Sequence, residues 1–167
     1  MQKLCFHVLL VLAVAFGFTA CNKKKGEQFA GVDGDFVTGT PLGERFEGAN
    51  FFGTSVSRGQ FSPVYFAYDS FEVSGEEQSK VQQVASAMKS ASGKLIIAGF
   101  TDDRGTEEYN RGLGERRALA VRQALISAGM PADRIQTVSF GMEMPADPGS
   151  GESAWAKNRR AEFGVVK

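Results

Sequence analysis

Leu95-Ile96-Ile97-Ala98-Gly99-Phe100-Thr101-Asp102-Asp103-Arg104-Gly105-Thr106-Glu107-Glu108-Tyr109-Asn110 is the stretch that decides the fold. Its opening run is continuously apolar, which suits a strand buried on both faces. A polar loop follows. Beyond it, Asn110, Leu113, Gly114, Arg117 and Val121 recur at spacings of three and four, the signature of one helix face. A strand that empties through a polar loop into a helix is where mixed α/β domains commonly build ligand sites.

Working outward, Val64 to Tyr68 is aromatic and β-favouring and reads as a first strand, closed by Asp69-Ser70. Ser74 with Glu77 matches a capping box. The helix behind it carries Val81, Val84, Ala85 and Met88 as one apolar stripe and stops near Ser92-Gly93. The second helix starts near Thr106 or Glu107 and runs to about Ala128, where Gly129 and Pro131 signal a stop. Ile135 to Phe140 reads as a third strand and residues 141–151 as a loop. Glu152 to Asn158 reads as a short helix and Arg160 to Val166 as a last strand. This β-α-β-α-β-(short α)-β order predicts an α/β two-layer sandwich, with helices on a four-stranded mixed sheet over residues 61–167.

The N-terminal third has a different character. Lys3 precedes a mostly apolar run from Leu4 to Phe18, shorter than the ~20 residues a membrane-spanning helix needs. Residues 1–20 fit a secretory signal. Residues 22–60 are rich in glycine and hold no persistent period, so they read as a flexible tether whose span would be roughly 35 Å. Phe29, Phe36, Phe46, Phe51 and Phe52 are many aromatics for a spacer, and some are expected to dock on the domain or on a partner.

Composition removes several function classes. Lys plus Arg and Asp plus Glu both number 19, with no concentrated basic face for nucleic acid. Cys5 and Cys21 are the cysteines and His7 the histidine. Cleavage before Cys21 would leave no Cys–His nucleophilic pair, no His/Cys zinc site and no intrachain disulfide. No metal and no cofactor is expected.

Several motifs, in order, carry a resemblance. They are Val64-Tyr65-Phe66 with Asp69-Ser70, and Gly99 with Thr101-Asp102 and Arg104-Gly105-Thr106. Glu108-Tyr109-Asn110 and Leu113-Gly114-Glu115-Arg116-Arg117-Ala118 follow, then Thr137-Val138-Ser139 with Gly141, and Ala154 to Phe163. Over about residues 62–167 the chain resembles the OmpA-like C-terminal domain family, in its peptidoglycan-associated lipoprotein branch. Phe18-Thr19-Ala20-Cys21 is similar to the lipobox of bacterial lipoproteins, which implies lipidation at Cys21. Asn22 after the cysteine implies the outer membrane, with the domain in the periplasm.

The resemblance implies non-covalent binding of peptidoglycan through the diaminopimelate of its stem peptide, with Tol-system proteins as possible partners. It carries the family's acid onto Asp102, next to Thr101, and its helix arginine onto Arg117. Asn110 and Leu113 match pocket-side helix positions, and Tyr68 and Asp69 match the end of the first strand. The chemistry fits. Diaminopimelate ends in an ammonium and a carboxylate on one carbon. A carboxylate suits the first, and the planar fork of an arginine suits the second. A stem with Lys at that position would leave the arginine unpaired, which predicts selectivity for diaminopimelate-type walls. Phe100 stands where the family usually has His or Asn, and Ala98 where an acid is common, so a polar contact beside the ligand is expected to be missing or replaced by packing.

Blander roles stand beside these. Asp102 can cap the loop, and Arg117 can pair with Glu115 or Glu108 on a helix surface. Asp103 and Arg104 suit hydrogen bonding inside the loop, Asn110 can pin that loop, and Trp155 suits a packing anchor. An enzyme is not expected. Asp102, Asp103, Glu107 and Glu108 supply carboxylates for a wall hydrolase, but adjacent acids do not define the separation such chemistry needs. The other alternative is a wall-anchoring subunit of a secretion or motility assembly.

Overall fold

The structure is a computed structural model that describes residues 50–167. The signal, Cys21, the tether to residue 49, and Phe29, Phe36 and Phe46 lie outside the described residues. The elements run β1 (Val56–Arg58), β2 (Val64–Tyr65), α1 (Gly75–Ser90), β3 (Lys94–Phe100), α2 (Glu107–Ser127), a 3-10 turn (Ala132–Arg134), β4 (Ile135–Gly141), α3 (Glu152–Asn158) and β5 (Arg160–Val166).

The strands form one mixed sheet in the order β1-β5-β3-β4, with β2 also paired to β5. β3 and β4 are parallel, joined through α2 as a crossover helix, while β5 runs antiparallel to β3, β1 and β2. The sheet therefore has five strands rather than four. The extra strand, β1, lies in the stretch read as tether. Three residues without alternation leave no period to detect. They are held by pairing with the far end of the chain, Val56 opposite Val166.

Strand periodicity explains the two cores. Leu95 and Ile97 point toward the helices and pack with Val81, Val84, Ala85, Met88, Ala118, Val121, Leu125, Ile135 and Phe163. Ile96, Ala98 and Phe100 point the other way and pack with Phe51 and Val56. Phe51 is 2% exposed and sets its ring against Phe52, Phe100 and Phe140. The expectation that some N-terminal phenylalanines dock on the domain is met here by Phe51, which closes the face of the sheet that the helices leave open.

Two local readings change. The first strand is Val64–Tyr65, and residues to Tyr68 continue as a loop that reaches the site. Ser74 is the N-cap of α1 but makes no side-chain capping bond. Glu77 turns toward β2 instead, accepting from the Tyr65 backbone N–H at 3.0 Å and from Lys80 at 2.8 Å. The α2 start is capped as Thr106 permits, its hydroxyl accepting from the Tyr109 N–H at 3.2 Å.

The site depends on how closely α2 lies on β3. Gly99 and Gly114 face each other there, and a Cβ on Gly99 would collide with the Gly114 carbonyl oxygen. That approach puts the first turns of α2 directly over the end of β3.

Candidate functional site

At the C-terminal end of β3 the strand opens into a pocket of about 120 Å³. Its lining is Tyr68 and Asp69 from the loop after β2, Asp102, Arg104 and Gly105 from the loop after β3, and Tyr109, Asn110, Leu113 and Arg117 from α2. That volume is well below the roughly 300–1,000 Å³ of a site for a drug-sized molecule, and suits a small polar head group.

Arg117 forms the floor. It is fully buried and donates through all three guanidinium nitrogens to backbone carbonyls: Nε to Ser70 at 2.8 Å, one terminal nitrogen to Phe100 at 2.9 Å and the other to Ala67 at 3.2 Å. It thus clamps the loop after β2 to the end of β3. Among the described residues no carboxylate lies within ion-pair distance of it. Burial pushes its pKa down to about 10, against the opposing pull of Asp102, and repulsion from Arg159 adds to the lowering. The helix-surface alternative, pairing with Glu115 or Glu108, is not what the chain does.

Asp102 sits on one wall and is 5% exposed. It accepts from Arg104 at 2.5 Å and from Arg159 at 3.3 Å, and its other oxygen accepts the Arg104 backbone N–H at 3.3 Å. Burial raises its pKa. The hydrogen bonds and charge of Arg104, with the bond from Arg159, outweigh that and hold it below the usual carboxylate value. Asp69 sits opposite in a left-handed backbone conformation, φ 49°, and accepts the Tyr109 hydroxyl hydrogen bond. That bond raises the Tyr109 pKa. Among the described residues Asp69 has no cationic partner within ion-pair distance.

The structure therefore brings Tyr68, Asp69, Asp102, Asn110, Leu113 and Arg117 to one cavity. Thr101 is the exception: it is buried and its hydroxyl donates to the Asp102 carbonyl at 2.9 Å, supporting the loop rather than lining the pocket. Asn110 both lines the cavity and pins the loop, donating to the Arg104 carbonyl at 2.9 Å. Phe100 and Ala98 do not border the pocket. They share strand parity with Ile96 and lie in the core beneath Phe51. Arg160 covers the Phe100 ring at 3.9 Å. Both positions are taken up by packing, and period-two alternation along β3 is the signal that places them.

Arg104, Gly105 and Tyr109 line the pocket without having been singled out for it. Arg104 belongs to the loop after β3, and its guanidinium lies over the ring of Tyr68, at 4.0 Å, and over that of Trp155, at 4.1 Å. Loop and α3 are far apart in sequence, so no local pattern announces that stack. Among the described residues no group of three His, Cys, Asp or Glu is placed to hold a metal, and no helix is long and apolar enough to cross a membrane.

The pocket thus lies at a strand–helix junction, with two acids and a buried arginine in its lining. Residues 65–159 match the OmpA family, and the chain belongs to it. Within that family it belongs with the peptidoglycan-associated lipoproteins. It is 35% identical to the peptidoglycan-associated lipoprotein of Pseudomonas putida over 92% of this chain and 91% of that one. It is also 35% identical to that of Pasteurella multocida, over 96% and 97%. The crystal structure of the peptidoglycan-associated lipoprotein from Burkholderia pseudomallei superposes with a TM-score of 0.59 at 44% identity, covering 62% of this chain and 87% of that one.

Proposed function

We propose that this protein binds peptidoglycan non-covalently and anchors the bacterial envelope to it, without catalysing a reaction. The observation that carries the reading is Arg117, a buried cation with no carboxylate partner among the described residues, at the floor of a pocket flanked by Asp69 and Asp102. Burying an unpaired charge is costly. A ligand carboxylate in the pocket supplies the missing countercharge, while the two acids receive an ammonium. The distal end of diaminopimelate presents both on one carbon, at a size the cavity accepts. The resemblance to peptidoglycan-associated lipoproteins from three genera supports peptidoglycan as the ligand.

In this reading a lipid on Cys21 holds the chain in the outer membrane, and the segment before residue 50 spans the distance to the wall. Each link is individually weak, and many along one membrane hold the wall by multivalency. Tol-system proteins are the proposed partners in envelope integrity and cell division.

The test is co-sedimentation of the purified protein with peptidoglycan. Wild type is expected to pellet with diaminopimelate-type wall and much less with lysine-type wall. Asp69→Asn and Arg117→Met are expected to remain in solution. Equal pelleting with both walls would remove the diaminopimelate assignment, and no pelleting with either would remove wall binding. Release of soluble muropeptides would instead revive a hydrolase.

A further inference from the structure

We propose that Arg104 is an internal competitor for the ligand's ammonium, covering the Asp102 carboxylate until a ligand displaces it. The proposal rests on the zwitterion reading of the pocket and adds to it the residue that sets affinity and selects for an amino group.

Arg104 occupies the position that reading gives to the ammonium. One terminal nitrogen lies 2.5 Å from Asp102 Oδ2, on the wall of the cavity that Arg117 floors. Its guanidinium makes cation–π contacts with both Tyr68 and Trp155. A ligand ammonium reaching Asp102 meets this cation first. Asp102 Oδ2 already accepts from Arg104 and Arg159, so an arriving third cation has to take the place of one of them.

Several features make Arg104 the one that moves. Its side chain is 29% exposed, whereas Arg159, the other cation on Asp102, is 7% exposed. Arg159 is also fixed from behind, its Nε donating to the Phe66 carbonyl at 3.0 Å and one terminal nitrogen to Glu152 at 2.6 Å. Arg104 in its stacked position leaves its own Nε buried without a hydrogen-bond partner, and the Trp155 indole N–H beside it is likewise unpartnered. Two buried donors without acceptors mark an arrangement held below its optimum. An outward acceptor is already near: Glu152 Oε2 lies 3.8 Å from the same terminal nitrogen, on a side chain that is 64% exposed. Gly105, with φ +96°, gives the backbone next to Arg104 a conformation that other residues rarely adopt. When Arg104 swings toward Glu152, Asp102 keeps Arg159 and its charge is not left bare.

The test uses the purified full chain in mild detergent and free meso-diaminopimelate, with binding measured by calorimetry for wild type and Arg104→Gln. Removing the competing charge is expected to tighten binding about fivefold, the upper range for a partly exposed ion pair. Pimelate, which has both carboxylates and no amino group, cannot displace a cation from Asp102 and is expected to gain nothing from the substitution. Trp155, the single tryptophan of the chain, reports the motion directly. Saturating wild type with diaminopimelate is expected to shift its fluorescence, while Arg104→Gln starts near the ligand-bound emission and changes little. Binding that is unchanged or weaker in Arg104→Gln overturns the proposal and leaves the zwitterion pocket standing. No binding by either protein removes both. Should the variant fold poorly, the wild type decides alone: binding without any change in Trp155 emission refutes displacement.

Discussion

A single methyl group on Gly99 is expected to unseat the site from behind. An alanine Cβ there would overlap the Gly114 carbonyl oxygen, and the next atoms it meets are Gly114 C and Cα. All three belong to the helix backbone, so no side chain can rotate away. α2 and β3 must separate, and overpacking of this kind costs typically 1–3 kcal/mol. With rigid partners on both sides the upper figure applies, about 3 kcal/mol. For a domain of roughly 120 residues each kcal/mol moves the melting temperature by about 4 °C, so Gly99→Ala is expected to melt about 12 °C below wild type. The same separation stretches the 2.9 Å bond from Arg117 to the Phe100 carbonyl and widens the pocket floor, so wall binding falls with stability. Gly112→Ala is the internal control. It lies in α2, and its Cβ would meet only Arg116 Nη1 at 3.7 Å. Helix propensity then favours alanine by about 0.5–1 kcal/mol, a rise of about 2–4 °C. Differential scanning calorimetry of the three proteins checks both signs. If Gly99→Ala melts within about 2 °C of wild type, the claim that this glycine pair sets the helix–sheet distance is wrong.

Other substitutions separate holding the fold from holding the ligand. Arg117→Met leaves three backbone carbonyls without their donor and is expected to lose about 3 kcal/mol in urea unfolding as well as wall binding. Asp69→Asn keeps an acceptor for the Tyr109 hydroxyl, so its unfolding is expected to stay within about 0.5 kcal/mol of wild type while binding falls. Phe51→Ala is expected to cost about 3 kcal/mol, and an unchanged melt would return residues 50–58 to the tether. The folded Asp102 pKa is depressed below its unfolded value, so the stability this carboxylate contributes is present above about pH 4 and is lost as pH falls through the folded pKa. The stability gap between wild type and Asp102→Asn is therefore expected to close on acidification, and a gap that widens in acid would contradict the ion pairing described here.

The elements with a period were legible in the sequence. The apolar stripe of Val81, Val84, Ala85 and Met88 fixed the buried face of α1, and the shared face of Asn110, Leu113, Arg117 and Val121 is the face α2 buries. α3 and β5 lie where local pattern placed them, because a short helix after glycines and a seven-residue strand each carry enough residues to show a repeat. With the motif order, that was enough for the family and for six of the pocket residues. Tertiary structure decided what depends on distant partners. β1 exists through β5, Phe51 is buried through Phe100 and Phe140, and Glu77 abandons its cap for Tyr65. The roles of the charged groups belong to the same class. Sequence assigned Arg117 to the ligand, and folding also made it a clamp on three carbonyls. Sequence assigned Asp102 to the ligand, and folding gave it Arg104 and Arg159 as cations already in place. Periodicity reports which face of an element is buried. It carries no information about which charge, tens of residues away, arrives to meet it.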